Sequence, residues 1–139
     1  MPSVVYNNFK AAVLGGNFSL SASDPSGYNL ILMSGYSPDI VDDVVYSDIS
    51  SLETSGTGYT AGGKELSAMS LSADNTNDRG VWDSDDVTFS DSTITADGAV
   101  LYKVADGNLI CYIDFGSFKS SSAGDFNIAW NVNGILTLN

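Results

Sequence analysis

The strongest constraint in this chain is a pair of apolar runs that meet at a tight turn. TITADGAVLYKV (93–104) leads into NLICYIDF (108–115) across Asp106-Gly107. Asp-Gly between such runs signals a hairpin, because glycine accepts positive φ and aspartate tolerates it. In the second run Leu109, Cys111, Ile113 and Phe115 alternate and should share one face. The pattern continues. DFNIAWNV (125–132) sets Phe126, Ile128, Trp130 and Val132 on one face and Asn127 and Asn131 on the other, and Asn133-Gly134 turns the chain into ILTL. Upstream, LSAMSLS puts Met69 and Leu71 on one side, while RGVWD (79–83) and VTFS (87–90) read as short strands. The C-terminal half is thus expected to be an antiparallel meander with one buried face.

Helical periodicity is confined to two short segments. In SVVYNNFKAAVL (3–14), Val5, Phe9, Ala12 and Val13 fall on one face, and Gly15-Gly16 stops the helix. DDVVYSDISSL (42–52) suits a second helix, with Asp42 and Asp43 where a helix N-terminus favours negative charge and Val45, Ile49 and Leu52 facing inward. Between them a polar stretch, SASDPSG (21–27), precedes YNLILM (28–33), a buried-strand candidate. Serine, threonine, glycine and asparagine fill the gaps, as turns require. With no internal repeat or dividing linker, the expectation is one mainly β domain over 1–139. It would be an antiparallel β-sandwich with one or two short helices, in which 1–16 forms an N-terminal helix or a docking arm.

Charge narrows the partners. Seventeen acidic residues stand against five basic ones (Lys10, Lys64, Arg79, Lys103 and Lys119), a net charge of −12. Binding nucleic acid or anionic lipid needs clustered Lys and Arg, so neither is expected as a partner. The longest apolar run is too short to cross a membrane, and MPSVVYNNFK lacks the basic and apolar regions of a signal peptide, so synthesis in a cytoplasm is expected. Cys111 is the only cysteine, set among Leu, Ile and Tyr, and reads as a small core hydrophobe.

Three motifs invite a chemical reading. Gly58 to Lys64 fits G-x-x-x-x-G-K, the phosphate-binding loop short of its last residue. Glu65 stands where the magnesium-binding Ser or Thr belongs, SSLETSGT is too polar for the preceding buried strand, and the following segment alternates like a strand. A glycine-rich connection with an incidental lysine is the better reading. Asp114-Phe115-Gly116 spells the kinase metal tripeptide in a chain too short for a kinase, so Asp114 should end a strand and Gly116 begin a turn. Asp83, Asp85 and Asp86 in WDSDD are the weak candidates for a calcium site, without the spacing of a helix-loop-helix calcium loop; solvated loop carboxylates are the favoured explanation, as for Asp74 and Asp78. The chain has no histidine, which excludes Ser-His-Asp and Cys-His sites. No catalytic residue, cofactor or assigned metal ligand follows. Trp82 and Trp130 could stack on sugars, though Trp130 alternates with core positions.

Taken together, YNNFKAAVLGG (6–16), GTGYTAGGK (56–64), DRGVWDSDDVTFS (78–90), STITADGAVLYK (92–103) and IDFGSFKSSSAGDFNIAWNVNGILTL (113–138) resemble a family of small structural proteins of tailed-bacteriophage and prophage virions. The resemblance implies a non-enzymatic virion component, with a capsid decoration, or cement, protein preferred. Its partners would be the major capsid protein and neighbouring copies of itself as a homo-oligomer, and its place the capsid exterior. The alternative is a tail- or fibre-associated module that binds the host surface through exposed aromatics, with Tyr28, Tyr36, Tyr59 and Trp82 the first to examine.

Overall fold

A computed structural model describes residues 2–21 and 27–139; most of the polar stretch before the first long strand lies outside the described residues. Strand β1 (Val4–Val5) runs into helix α1 (Asn7–Leu14). Then follow β2 (Tyr28–Met33), α2 (Tyr46–Ile49) with a 3-10 turn (Ser50–Leu52), β3 (Lys64–Glu65), β4 (Ser70–Asp74) and β5 (Arg79–Asp83). The chain ends with β6 (Val87–Ser92), β7 (Thr95–Lys103), β8 (Leu109–Ser120), β9 (Gly124–Ile128) and β10 (Leu136–Leu138). All pairings are antiparallel: a five-stranded sheet in the order β1-β8-β7-β2-β3, a three-stranded sheet β10-β5-β4 and a two-stranded sheet β6-β9. The result is a mainly β, sandwich-like fold.

YNLILM explains why the large sheet is central. Tyr28, Leu30 and Leu32 point into a core shared with α1 and the two smaller sheets, where Phe9, Trp82, Phe89, Phe126 and Ile128 meet them. Ile31 and Met33 point the other way, into a second core of Tyr6, Tyr36, Ile49, Val100 and Tyr112. A strand covered on both faces is apolar nearly throughout, and its one polar side chain, Asn29, donates to the Gly62 carbonyl. Each fully buried Leu or Ile contributes about 1.5–3 kcal/mol of transfer free energy. β7 and β8 are covered in the same way, with Ala99, Leu101 and Cys111 in the first core and Val100, Leu109 and Tyr112 in the second, so the single buried face expected for the C-terminal meander is replaced there by two.

The Asp-Gly hairpin forms, with a longer loop than the dipeptide alone needs. Lys103 N–H donates to the Asn108 carbonyl, Asp106 Oδ1 accepts from Asn108 N–H, and Gly107 sits at φ 77°. Opposite β7, one residue of β8 is extra: Leu101 pairs with Cys111 but Tyr102 pairs with Leu109. This bulge at Ile110 sends Ile110 and Cys111 into the first core and Leu109 into the second, so Leu109 does not share a face with Cys111.

The ribbon then folds over. β6 and β7 are nearly continuous, as are β8 and β9, and they stay paired through Phe89–Phe126, Ser92–Gly124 and Thr95–Ser120. At the corner Asp91 and Ala123 both take φ 49°. Fully buried Ser92 bonds Ser121 Oγ at 2.7 Å and donates to the Gly124 carbonyl at 2.9 Å, while Ser121 N–H bonds the Ile94 carbonyl. These bonds satisfy backbone that a continuous ladder would have used.

Other boundaries shift for local reasons. Val4 and Val5 pair with Tyr112 and Cys111, so the first helix begins at Asn7, not Ser3, and it packs Phe9, Ala12 and Val13 onto the chain's own core. The second helix is one α turn plus a 3-10 turn; the tighter winding rotates Leu52 out of phase and leaves it 43% exposed. Asp42 and Asp43 precede it, and the residue at its N-terminus that accepts from Val44 and Val45 N–H is Asp48. Leu71, on edge strand β4, is 57% exposed, unlike its expected partner Met69, which packs on the core. β9 stops at Ile128, so Val132 lies beyond the sheet and is 98% exposed.

Candidate functional site

The glycine-rich loop is held by its neighbours. Gly63 sits at φ 78°, and a Cβ there would lie 2.0 Å from the Leu30 carbonyl oxygen, so the loop lies directly on β2. Glu53 is the hub beneath it. Its Oε2 accepts from Tyr46 OH, and its Oε1 accepts from Tyr59 OH and from Gly62 N–H at 2.9 Å. The Gly62 carbonyl accepts from Tyr102 OH at 2.7 Å and Asn29 Nδ2 at 2.9 Å. Tyr59 OH also accepts from Leu32 N–H at 3.0 Å, and the Tyr46 and Tyr102 rings stack at 5.0 Å and 14°. Burial, then the hydrogen bond to Glu53, pushes Tyr46 up to about 12 and Tyr59 well above the usual phenol value. The phenols stay protonated and serve as donors.

The lysine of the motif is turned elsewhere. Lys64 Nζ donates to the Thr88 carbonyl and lies 5.9 Å from the Phe89 ring centre. The residue after it belongs to β3, which pairs with β2, where a phosphate loop would start a helix. Glu53 and its tyrosines are the part of this arrangement that sequence reading missed. Tyr59 lies 6 residues after Glu53 in a Ser-, Thr- and Gly-rich stretch, and Tyr46 lies 7 residues before it in the segment read as the second helix.

A second buried chain of hydroxyls clamps residues 36–43 to the sheet. Tyr6 OH and Tyr36 OH are 2.8 Å apart, Tyr36 OH donates to Asp43 Oδ2, and that oxygen also accepts from Asp39 N–H at 2.9 Å. Burial first, then the Asp43 carboxylate, holds Tyr36 far above its ordinary value; burial does the same for Tyr6.

The other flagged residues are spread out. Asp83 Oδ1 accepts from Ser84 N–H, Asp86 Oδ1 accepts from Trp130 N–H, and the Asp85 backbone bonds Ser67 and Trp130. Among the described residues no three His, Cys, Asp or Glu side chains group as a metal site would need. Asp74 ties its own turn, accepting from Asn77 and Arg79. Asp114 does not end a strand: β8 runs on to Ser120, with Phe115 to Phe118 looped out opposite Asp97 and Asp114 Oδ1 accepting from Gly116 N–H. Cys111 is a core residue whose thiol burial pushes up to about 12. Trp82 is 1% exposed, and its N–H has no hydrogen-bond partner among the described residues. Trp130, expected in the core, is half-buried at the surface, with Nε1 donating to the Asp85 carbonyl at 2.9 Å. Tyr28 and Tyr36 are buried and Tyr59 half-buried, so the aromatics named for a host-binding face do not form one.

Two concavities stand out among the described residues. One, of about 380 Å³, is walled by Ser34, Glu53, Thr54, Ser55 and Thr93 to Thr95. The other is a groove of about 470 Å³ between β8 and β9, with Ile113 and Phe115 on one side, Phe126 and Ile128 on the other, and Trp130 at one end. Lys119 and Asp125 are its charged residues. No helix among the described residues is long and apolar enough to cross a membrane. Compared with known protein families, with curated proteins and with solved structures, the chain matches none.

Proposed function

We propose that this chain is a non-enzymatic structural protein of a tailed-bacteriophage virion, a decoration protein that binds the outer capsid surface and secures contacts between capsomers. The observation that carries the reading is where the resembling stretches fall. GTGYTAGGK is the loop clasped by Glu53 and its tyrosines, and STITADGAVLYK and IDFGSFK supply β7 and β8. The groups that could have been reactive serve to hold shape. Such a body works through its surface: a specific contact buries roughly 1,200–2,000 Å² in total, and repetition over a lattice adds avidity without chemistry. The net charge of −12 suits a position outside the shell, away from packaged DNA, and limits aggregation before assembly. The partners are the major capsid protein and neighbouring copies of this chain.

Quantitative mass spectrometry of purified virions tests the reading. Copies on the scale of the capsid lattice, with saturable binding of the purified chain to expanded empty shells, are expected. A handful per particle moves the protein to the tail or neck, and absence from the particle overturns the proposal.

A further inference from the structure

We infer that Asn133-Gly134 is a modification site, at which the amide of Asn133 is lost spontaneously and the aspartate that replaces it is captured by Arg79. Asn133 is the one asparagine of the chain followed by glycine. A side chain on the following residue hinders the approach of its backbone nitrogen to the amide carbon, and glycine has none. The fold demands that glycine. Gly134 lies at φ 92°, and a Cβ there would come within 2.5 Å of Val81 Cγ1 and 3.0 Å of the Trp82 carbonyl oxygen. Asn133 itself is exposed to water.

The surroundings favour the chemistry. Arg79 Nη2 donates to Asn133 Oδ1 at 3.0 Å, and Arg79 is anchored in turn by Asp74 at 2.9 Å. The guanidinium draws electron density from the amide carbonyl and stabilises the negative oxygen that forms on attack. The leaving nitrogen, Nδ2, has no hydrogen bond among the described residues. One restraint opposes the reaction. Gly134 N–H donates to the Asn131 carbonyl at 2.9 Å, so attack proceeds when this surface turn opens. The Gly134 nitrogen then bonds to Asn133 Cγ, its proton passes to water, and Nδ2 takes a proton from water and leaves as ammonia. A cyclic imide remains. Water opens it at Cγ to give aspartate, or at the main-chain carbonyl to give isoaspartate.

The fold selects between the two products. Isoaspartate inserts one more carbon into the main chain, where Gly134 is pressed against Trp82 and Ile135 N–H donates to the Trp82 carbonyl at 2.8 Å. That extra length pushes β10 out of register with β5. Aspartate leaves the backbone as it was and gives Arg79, whose side chain is only 18% exposed, a second carboxylate. Either product can close again to the imide, so the population drains towards aspartate.

Incubation of the full chain at mildly alkaline pH, followed by peptide mapping with mass spectrometry, tests this. Conversion at Asn133 should run about tenfold or more ahead of every other asparagine. Aspartate should exceed isoaspartate in the folded chain, and the order should reverse in urea, where neither β10 nor Arg79 acts. Arg79→Gln, which keeps a donor without the charge, should slow the conversion several-fold. Asn133→Asp should melt about 1–4 °C above the parent at low salt, and the gain should vanish when Arg79→Gln is added. Circular dichroism will show that these variants fold. Equal conversion at all asparagines, an excess of isoaspartate in the folded chain, or an Asn133→Asp variant that melts no higher than the parent overturns the inference. Faster conversion in Arg79→Gln overturns it as well.

Discussion

Gly63→Ala should be among the most damaging single-methyl additions in this chain. Two costs combine. At φ 78° an L-residue is strained by about 1–2 kcal/mol. The added carbon would also sit 2.0 Å from the Leu30 carbonyl oxygen, a backbone atom of the central strand that cannot turn aside. Something must move by more than an ångström, and β3 is the element free to go. Its departure breaks the pairing of Asn29 with Glu65 and Leu30 with Lys64 and loosens the Gly62 bonds to Glu53, Tyr102 and Asn29. Losing two or three hydrogen bonds adds about 2–3 kcal/mol, for a total of about 3–5 kcal/mol. In a chain of this length that is a fall in Tm of about 10–15 °C. Gly16→Ala is the control: its φ is 71°, but a Cβ there meets nothing within 4 Å, so it should cost only the strain. Differential scanning calorimetry of both variants decides the matter. Equal Tm shifts would refute the argument that the loop is pressed against β2.

The remaining expectations concern the buried polar groups. Glu53→Ala leaves two tyrosine hydroxyls and the Gly62 N–H without their acceptor and should cost about 3 kcal/mol in urea unfolding, whereas Glu53→Gln, which keeps an acceptor, should cost about 1 kcal/mol; equal losses would show that the clasp is not made by these bonds. Alkaline pH should unfold the protein. Tyr6, Tyr36, Tyr46 and Tyr59 have folded values raised above the ordinary 10.0, so the stability they contribute is whole below that pH and is lost as pH climbs from there through the folded values, Tyr46 at about 12 being the first of the four. Tyrosinate absorbance and circular dichroism should then change together; ionisation of all tyrosines while the fold stays intact would contradict the buried hydroxyl chains.

The parts of the fold that could be read in advance were those specified by neighbours in sequence. YNLILM, RGVWD and the Asp-Gly hairpin form where periodicity and turn chemistry place them, with ends set by nearby residues. The misreadings arise where a bulge, a tighter turn or a polar hub breaks the simple period. One extra residue at Ile110 moved Leu109 to the other core, and alternation has no means of registering a bulge. Trp130, expected in the core, lies at the surface because the chain after Ile128 leaves its strand, while Trp82, left open by the sequence, is buried because β5 is roofed by the large sheet. Glu53 was invisible as a hub because its partners, 6, 7 and 9 residues away, follow neither a helix nor a strand period. The glycine-rich loop, by contrast, was legible as structural: Glu65 and the strand-like alternation after it already spoke against a phosphate site.

The open groove follows from the corner of the ribbon. Where β8 leaves the large sheet to become β9, no strand remains to close that side, so the fold produces an edge and an apolar lining together. The remaining edges are short in β1 and β3, with two residues each, and in β10, with three; β4 is largely exposed, and on β6 the Thr88 carbonyl accepts from Lys64 Nζ.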